Sequence, residues 1–172
     1  MKTNALIMLV VVLTMHTAHS KEHLQAPPLS NENVTIDWLN PSKYKDVDKN
    51  TPKREKEQLK VIAGLGAQLL KVSSKYLHSG MTLELKVTDV DIAGQLEYVQ
   101  VSGQSRYMRI VREGFPAILA FEYRLLSAQG EVVDSGTEKL IKHVGQINTE
   151  MGANKLILSA FKLWIKAKVK TP

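Results

Sequence analysis

From residue 34 the chain alternates: Val34, Ile36 and Trp38 are apolar, and Thr35 and Asp37 between them are polar. A period of two predicts a half-buried strand, which Asn40-Pro41 ends. The period then lengthens. Thr51 and Pro52 supply an N-cap and a first-turn proline. Leu59, Ile62, Gly66, Leu69, Ser73 and Tyr76 follow at helical spacing, with lysines and glutamates on the other face. This predicts a helix closed near His78 by Gly80 in the left-handed conformation. Gly64 and Gly66 each weaken such a helix by up to ~1 kcal/mol relative to alanine, a loss that close approach to a sheet would offset.

At Met81 the period returns to two: Met81, Leu83, Leu85 and Val87 alternate with Thr82, Glu84, Lys86 and Thr88. Residues 105–113 (SRYMRIVRE) and 117–127 (AILAFEYRLLS) predict two further strands, the second with Leu119, Phe121, Tyr123 and Leu125 inward. Ala128-Gln129-Gly130 is a turn, and residues 131–140 (EVVDSGTEKL) form the hairpin partner. After a loop through Gly145 and Gly152, residues 154–170 predict a closing helix with Ile157, Phe161, Trp164 and Ile165 as its apolar stripe. The order strand, helix, four strands, helix predicts an α+β fold. It is a two-layer sandwich: a mostly antiparallel sheet of about five strands with two helices packed on one face.

The ends of the chain have a different composition. Residues 1–20 combine Lys2, an apolar stretch from Ala5 to Met15 and the small-x-small site Ala18-His19-Ser20, as a secretory signal cut after Ser20 does. Residues 21–33 are polar with Pro27-Pro28 and read as a flexible arm, leaving 34–170 as a single α+β domain. With no cysteine there is neither a disulfide nor a lipidated lipoprotein signal. The net charge of +6 becomes +5 once Lys2 leaves with the signal. A modest positive charge on an exported, periplasmic protein favours anionic envelope surfaces over nucleic acid. No transmembrane segment remains after cleavage.

One stretch looks like chemistry: residues 86–94, KVTDVDIAG. The inward phase of its strand is odd, and continued regularly it would bury Asp89 and Asp91 and expose Val90 and Ile92. An unpaired buried carboxylate costs more than one register gains. Either a bulge near Thr88 flips the phase, or the aspartates stay inward, paired with Arg106, Arg109 or Arg112. Alternate strand positions hold two carboxylates roughly 6–7 Å apart, which suits acid–base work or a water-bridged cation. A metal site needs further ligands, and no spaced cluster supplies them; the histidines beyond the signal are His23, His78 and His143. The candidate binding residues are therefore Asp89, Asp91, Arg106, Arg109 and Arg112, with Arg106 and Arg112 on one strand face and Arg109 on the other. No catalytic residue, metal or cofactor is assigned. Residues 162–170 (KLWIKAKVK) have the composition of a basic helix that meets anionic lipid, although a core explains their apolar stripe.

Residues 34–47 (VTIDWLNPSKYKDV), 83–94 (LELKVTDVDIAG) and 108–136 (MRIVREGFPAILAFEYRLLSAQGEVVDSG) together resemble the bacterial domain of unknown function 3016 family. Its pattern falls on Trp38, Pro41, Asp89, Asp91, Ala93, Gly94, Arg109, Pro116, Tyr123 and Gly130. The chain departs from it after Leu140, where IKHVGQ stands in place of an acidic residue. The resemblance implies export in a Gram-negative bacterium and brings no activity with it. Two readings follow. The leading one is a non-enzymatic periplasmic domain that binds or supports another envelope component, a protein or an anionic surface. The rival is a carboxylate- or metal-dependent hydrolase built on Asp89 and Asp91.

Overall fold

The computed structural model describes residues 26–45, 52–143 and 154–169. The expected signal and its cut, the N-cap Thr51 and the loop through Gly145 and Gly152 lie outside these residues. The described chain runs β1 (Leu29–Ser30), β2 (Val34–Trp38), a 3-10 turn (Pro41–Lys43), α1 (Pro52–Tyr76), β3 (Thr82–Asp91), β4 (Gln95–Val101), β5 (Gln104–Ile110), β6 (Pro116–Leu126), β7 (Val132–His143) and α2 (Asn154–Val169). The fold is α+β, as predicted.

Each main element buries the side that its period marks. Val34, Ile36 and Trp38 of β2, Leu83, Leu85 and Val87 of β3, and Leu119, Phe121, Tyr123 and Leu125 of β6 are buried. They meet Leu59, Ile62, Leu65 and Leu69 of α1 and Ile157, Phe161, Trp164 and Ile165 of α2 in one core. Aromatic rings join sheet to helix: Phe121 stands edge-on to Phe161 at 6.0 Å and to Trp164 at 4.8 Å between centroids. Gly66 lets α1 come close to the sheet. A Cβ there would lie 2.6 Å from Leu29 Cδ1 and from Trp38 Cζ2, whereas one at Gly64 would meet nothing. Gly80 is left-handed, with φ of 80°, but it belongs to the turn after α1, in which the Met81 amide donates to the His78 carbonyl.

The five-stranded sheet has the order β1-β2-β3-β6-β7, and β4 with β5 forms a separate two-stranded sheet. Three features depart from the sequence reading. Residues 104–110 do not join the main sheet; they pair with Gln95–Val101, a strand that the reading missed. Leu29–Ser30, at the end of the stretch read as a flexible arm, pairs with β2 instead. And β2 runs parallel to β3, because α1 carries the chain back across the sheet before β3 begins. The other pairings are antiparallel.

Among the described residues, no helix covers the opposite face of the sheet. Glu84 on β3 pairs there with Arg124 on β6 at 2.9 Å. A groove of about 230 Å³ is lined there by Glu84, Lys86, Glu122, Arg124 and Thr137.

Candidate functional site

The β3–β6 register slips between Val87 and Asp89, so Thr88 is the extra residue of a bulge. Val87 is buried on one side of the slip, and Val90 and Ile92 are buried on the other. The phase has flipped, as the first of the two alternatives required. Asp89 and Asp91 thus point away from the helices, opposite Ala120 and Ile118.

Among the described residues, their partner is not arginine. The loop after β2 folds back over the bulge and occupies both carboxylates. The Lys45 amide donates to Asp89 Oδ1 at 3.0 Å, and the Lys45 ammonium forms an ion pair with Asp91 Oδ2. One residue earlier, Tyr44 is buried and donates its hydroxyl to the Val87 carbonyl at 2.6 Å, an oxygen that also accepts from the Leu39 amide at 2.9 Å. Burial pushes the Tyr44 phenol well above its ordinary range, and the Asp89 charge adds to that shift, so the group stays a donor. Lys45 was invisible to the strand argument because it lies more than forty positions upstream, in a loop without a period. Its one trace is its place inside the motif at 34–47.

The arginines act elsewhere. Arg109, on β5, reaches back to the turn after β3 and donates to the carbonyls of Ile92 at 2.9 Å and Gly94 at 3.1 Å. Arg112 grips Glu97 of β4 through both nitrogens, at 2.7 and 2.8 Å. Arg106 stands further out on β5, its guanidinium at 3.4 Å from the Gln104 side chain. Gly94 completes the root. Its φ is 95°, and a Cβ there would come within 2.4 Å of the Ile110 carbonyl oxygen.

So Arg109 and Arg112 fasten the root of the β4–β5 hairpin, Asp89 and Asp91 fasten the loop after β2 to β3, and Arg106 lies along the hairpin's length. Bidentate and charge-assisted bonds hold the two strands where they leave the body. The hairpin tip turns through Ser102 and Gly103, both at positive φ (50° and 78°). That is the handedness which two-residue hairpin loops favour.

A second polar cluster sits across the sheet. Tyr123 donates to Asp134 at 2.9 Å, and the Lys168 ammonium of α2 lies 2.5 Å from the Tyr123 hydroxyl, 3.2 Å from Asp134 and 3.4 Å from Glu138. Burial alone would raise the Asp134 carboxyl; the Tyr123 and Lys168 contacts outweigh it and hold the group below the usual carboxylate range. This network ties the end of α2 to the edge strand β7 and explains why the inward side of β7 is polar. Among the described residues, no three His, Cys, Asp or Glu side chains gather in a way that could hold a metal ion.

The Lys45–Asp91 contact sets a modest expectation for stability. The Lys45 side chain is 64% exposed and the Asp91 side chain 13%, so in Asp91→Ala the ammonium simply returns to water. We expect a loss of about 1 kcal/mol by denaturant unfolding. A gain instead would mark a carboxylate kept for function at the expense of stability, and would restore the hydrolase reading.

Comparison with known proteins agrees with the motif pattern. The model of the family described as "Protein of unknown function (DUF3016)" matches residues 32–156. No curated protein matches the chain. Among solved structures, a candidate lipoprotein from Caulobacter crescentus CB15 is 16% identical, with a TM-score of 0.33 over 63% of this chain and 85% of that one. A minor lipoprotein from Acinetobacter baumannii is 13% identical, with a TM-score of 0.24 over 80% and 86%. A DUF330 protein from Xanthomonas campestris is 18% identical, with a TM-score of 0.25 over 51% and 43%. Likenesses this distant carry no argument about function.

Proposed function

This chain belongs to the DUF3016 family, whose function is unknown, and we propose that its domain is a non-catalytic binding module of the cell envelope that engages a protein partner through the β4–β5 hairpin. The observation that carries the proposal is apolar exposure on an element outside the main sheet. Tyr98 is 73% exposed, Met108 45% and Val101 36%. Tyrosine and methionine are the side chains that interface centres favour. The pinned root and the tight tip hold these groups in one shape, which lowers the ordering cost of association. The engagement of both aspartates with Lys45 favours this reading over hydrolysis at Asp89 and Asp91. An envelope location rests on the signal-like composition of residues 1–20.

A photo-reactive residue at the exposed Gln100 position, introduced in cells, should give one discrete protein adduct. Tyr98→Ala combined with Met108→Ala should abolish the adduct while changing stability by no more than about 0.5 kcal/mol, as surface substitutions do. No adduct, or one indifferent to the double substitution, would remove the hairpin as the binding element.

A further inference from the structure

The outward side of α2 carries a second pattern that the core does not use. Lys155-Leu156, Lys162-Leu163 and Lys166-Ala167 are three pairs of a cation followed by an apolar residue. Spacings of seven and four return to one side of a helix, so the lysines form one line and Leu156, Leu163 and Ala167 a second line beside it. Burial agrees. Lys155, Lys162, Leu163 and Ala167 are exposed and Leu156 and Lys166 partly so, while Ile157, Phe161, Trp164 and Ile165 turn to the core. Leu163 is 66% exposed. Packing explains the inner apolar stripe of this helix, and Leu156 also packs against the core; it does not explain the exposed Leu163. There is no acidic residue in α2, nor any in α1 after Glu57.

Charge concentrates where α1 ends beside α2. The Lys166 ammonium lies 5.0 Å from the centre of the Tyr76 ring and that of Lys75 6.0 Å from it. Lys162 adds a third positive charge beside the Tyr76 phenol. Burial alone would raise this phenol's pKa, but the influence of Lys162 and the charges of Lys166 and Lys75 outweigh it and hold the group below its ordinary value. Three cations around one phenol form a positive centre that can receive an external anion.

We infer that this face of α2 seats the domain on an anionic phospholipid bilayer, with Leu163 entering the acyl boundary and Lys75, Lys162 and Lys166 meeting lipid phosphates. In the second half of the helix the exposed Leu163 and Ala167 lie beside Lys162 and Lys166, which is the arrangement of an interfacial helix. A site for a single free phosphate would have no use for an exposed leucine beside its cations. Tyr76 adds a ring with a polar tip, suited to the headgroup level. The face is separate from the hairpin: α1 ends just before β3 begins, and the hairpin springs from the far end of β3.

The test is co-sedimentation of the purified chain, its first residue fixed by intact mass, with vesicles of phosphatidylcholine alone or containing about one-third phosphatidylglycerol. Binding should require phosphatidylglycerol and fall as salt is raised. Lys162→Glu with Lys166→Glu should weaken it at least about tenfold, since each lysine near an anionic surface contributes roughly a fivefold factor. Leu163→Ala should weaken it several-fold, and both variants should melt with the parent because the altered groups are on the surface. Equal binding to both vesicle types, or indifference to the charge reversal, would overturn the inference. So would release by inorganic phosphate at constant ionic strength, which would point to a discrete phosphate site.

Discussion

Phe121→Ala should destabilise the domain by about 3–5 kcal/mol, the usual range for removing a fully buried phenylalanine. Phe121 has no exposed surface and lies mid-strand on β6. Its ring meets Trp164 and Phe161 from α2 and Tyr123 from its own strand, all edge-on. These neighbours are rigid rings that cannot flow into the vacated space, so the cavity persists and its cost adds to the lost transfer energy. A domain has only ~5–15 kcal/mol in total, so the variant should melt roughly 10 °C or more below the parent. A loss below about 1 kcal/mol would mean that α2 does not pack where it is described.

The second large effect is expected at Gly94→Ala. A residue with a Cβ pays ~1–2 kcal/mol in left-handed backbone, and here the added carbon would also sit 2.4 Å from the Ile110 carbonyl oxygen. That oxygen belongs to the backbone of the paired strand and cannot rotate away, so the strands must separate at the root. We expect a total near 2–4 kcal/mol, borne by the hairpin more than by the core. Hydrogen exchange should show amides of residues 92–111 losing protection while those of β6 and α1 keep most of theirs. The photo-adduct from position 100 should weaken as well. Unchanged protection would show that the root does not have this geometry.

How much of this was legible in the sequence depended on burial. Elements that bury one side, such as β2, α1, β3, β6 and α2, must repeat apolar residues at their own period, and each was read with nearly the right ends. Even the Thr88 bulge could be anticipated, because the cost of burying Asp89 and Asp91 made the regular strand untenable. The missed elements were those without that constraint. The strand β4 (QLEYVQV) presents Tyr98 and Val101 to solvent, so no core imposes a pattern on it. The strand β1 has two residues, too few for any period. The true partner of the aspartates, Lys45, is joined to them only by the folded path of a loop. Likewise, the two stripes of α2 share one stretch of sequence, and only the burial of Trp164 beside the exposure of Leu163 separates them.

The pairing of β3 with β6 has an implication for protein engineering. Asp91 lies directly opposite Ile118, so the two strands already form a hairpin, and everything between them is an insertion at its tip. Ile92 and Ala93 remain in the core, so the exchangeable cassette is the hairpin itself, residues 95–110. Foreign loops grafted between Gly94 and Val111 should be carried by the same scaffold, because the register of the sheet is set by pairs on the body side of the graft.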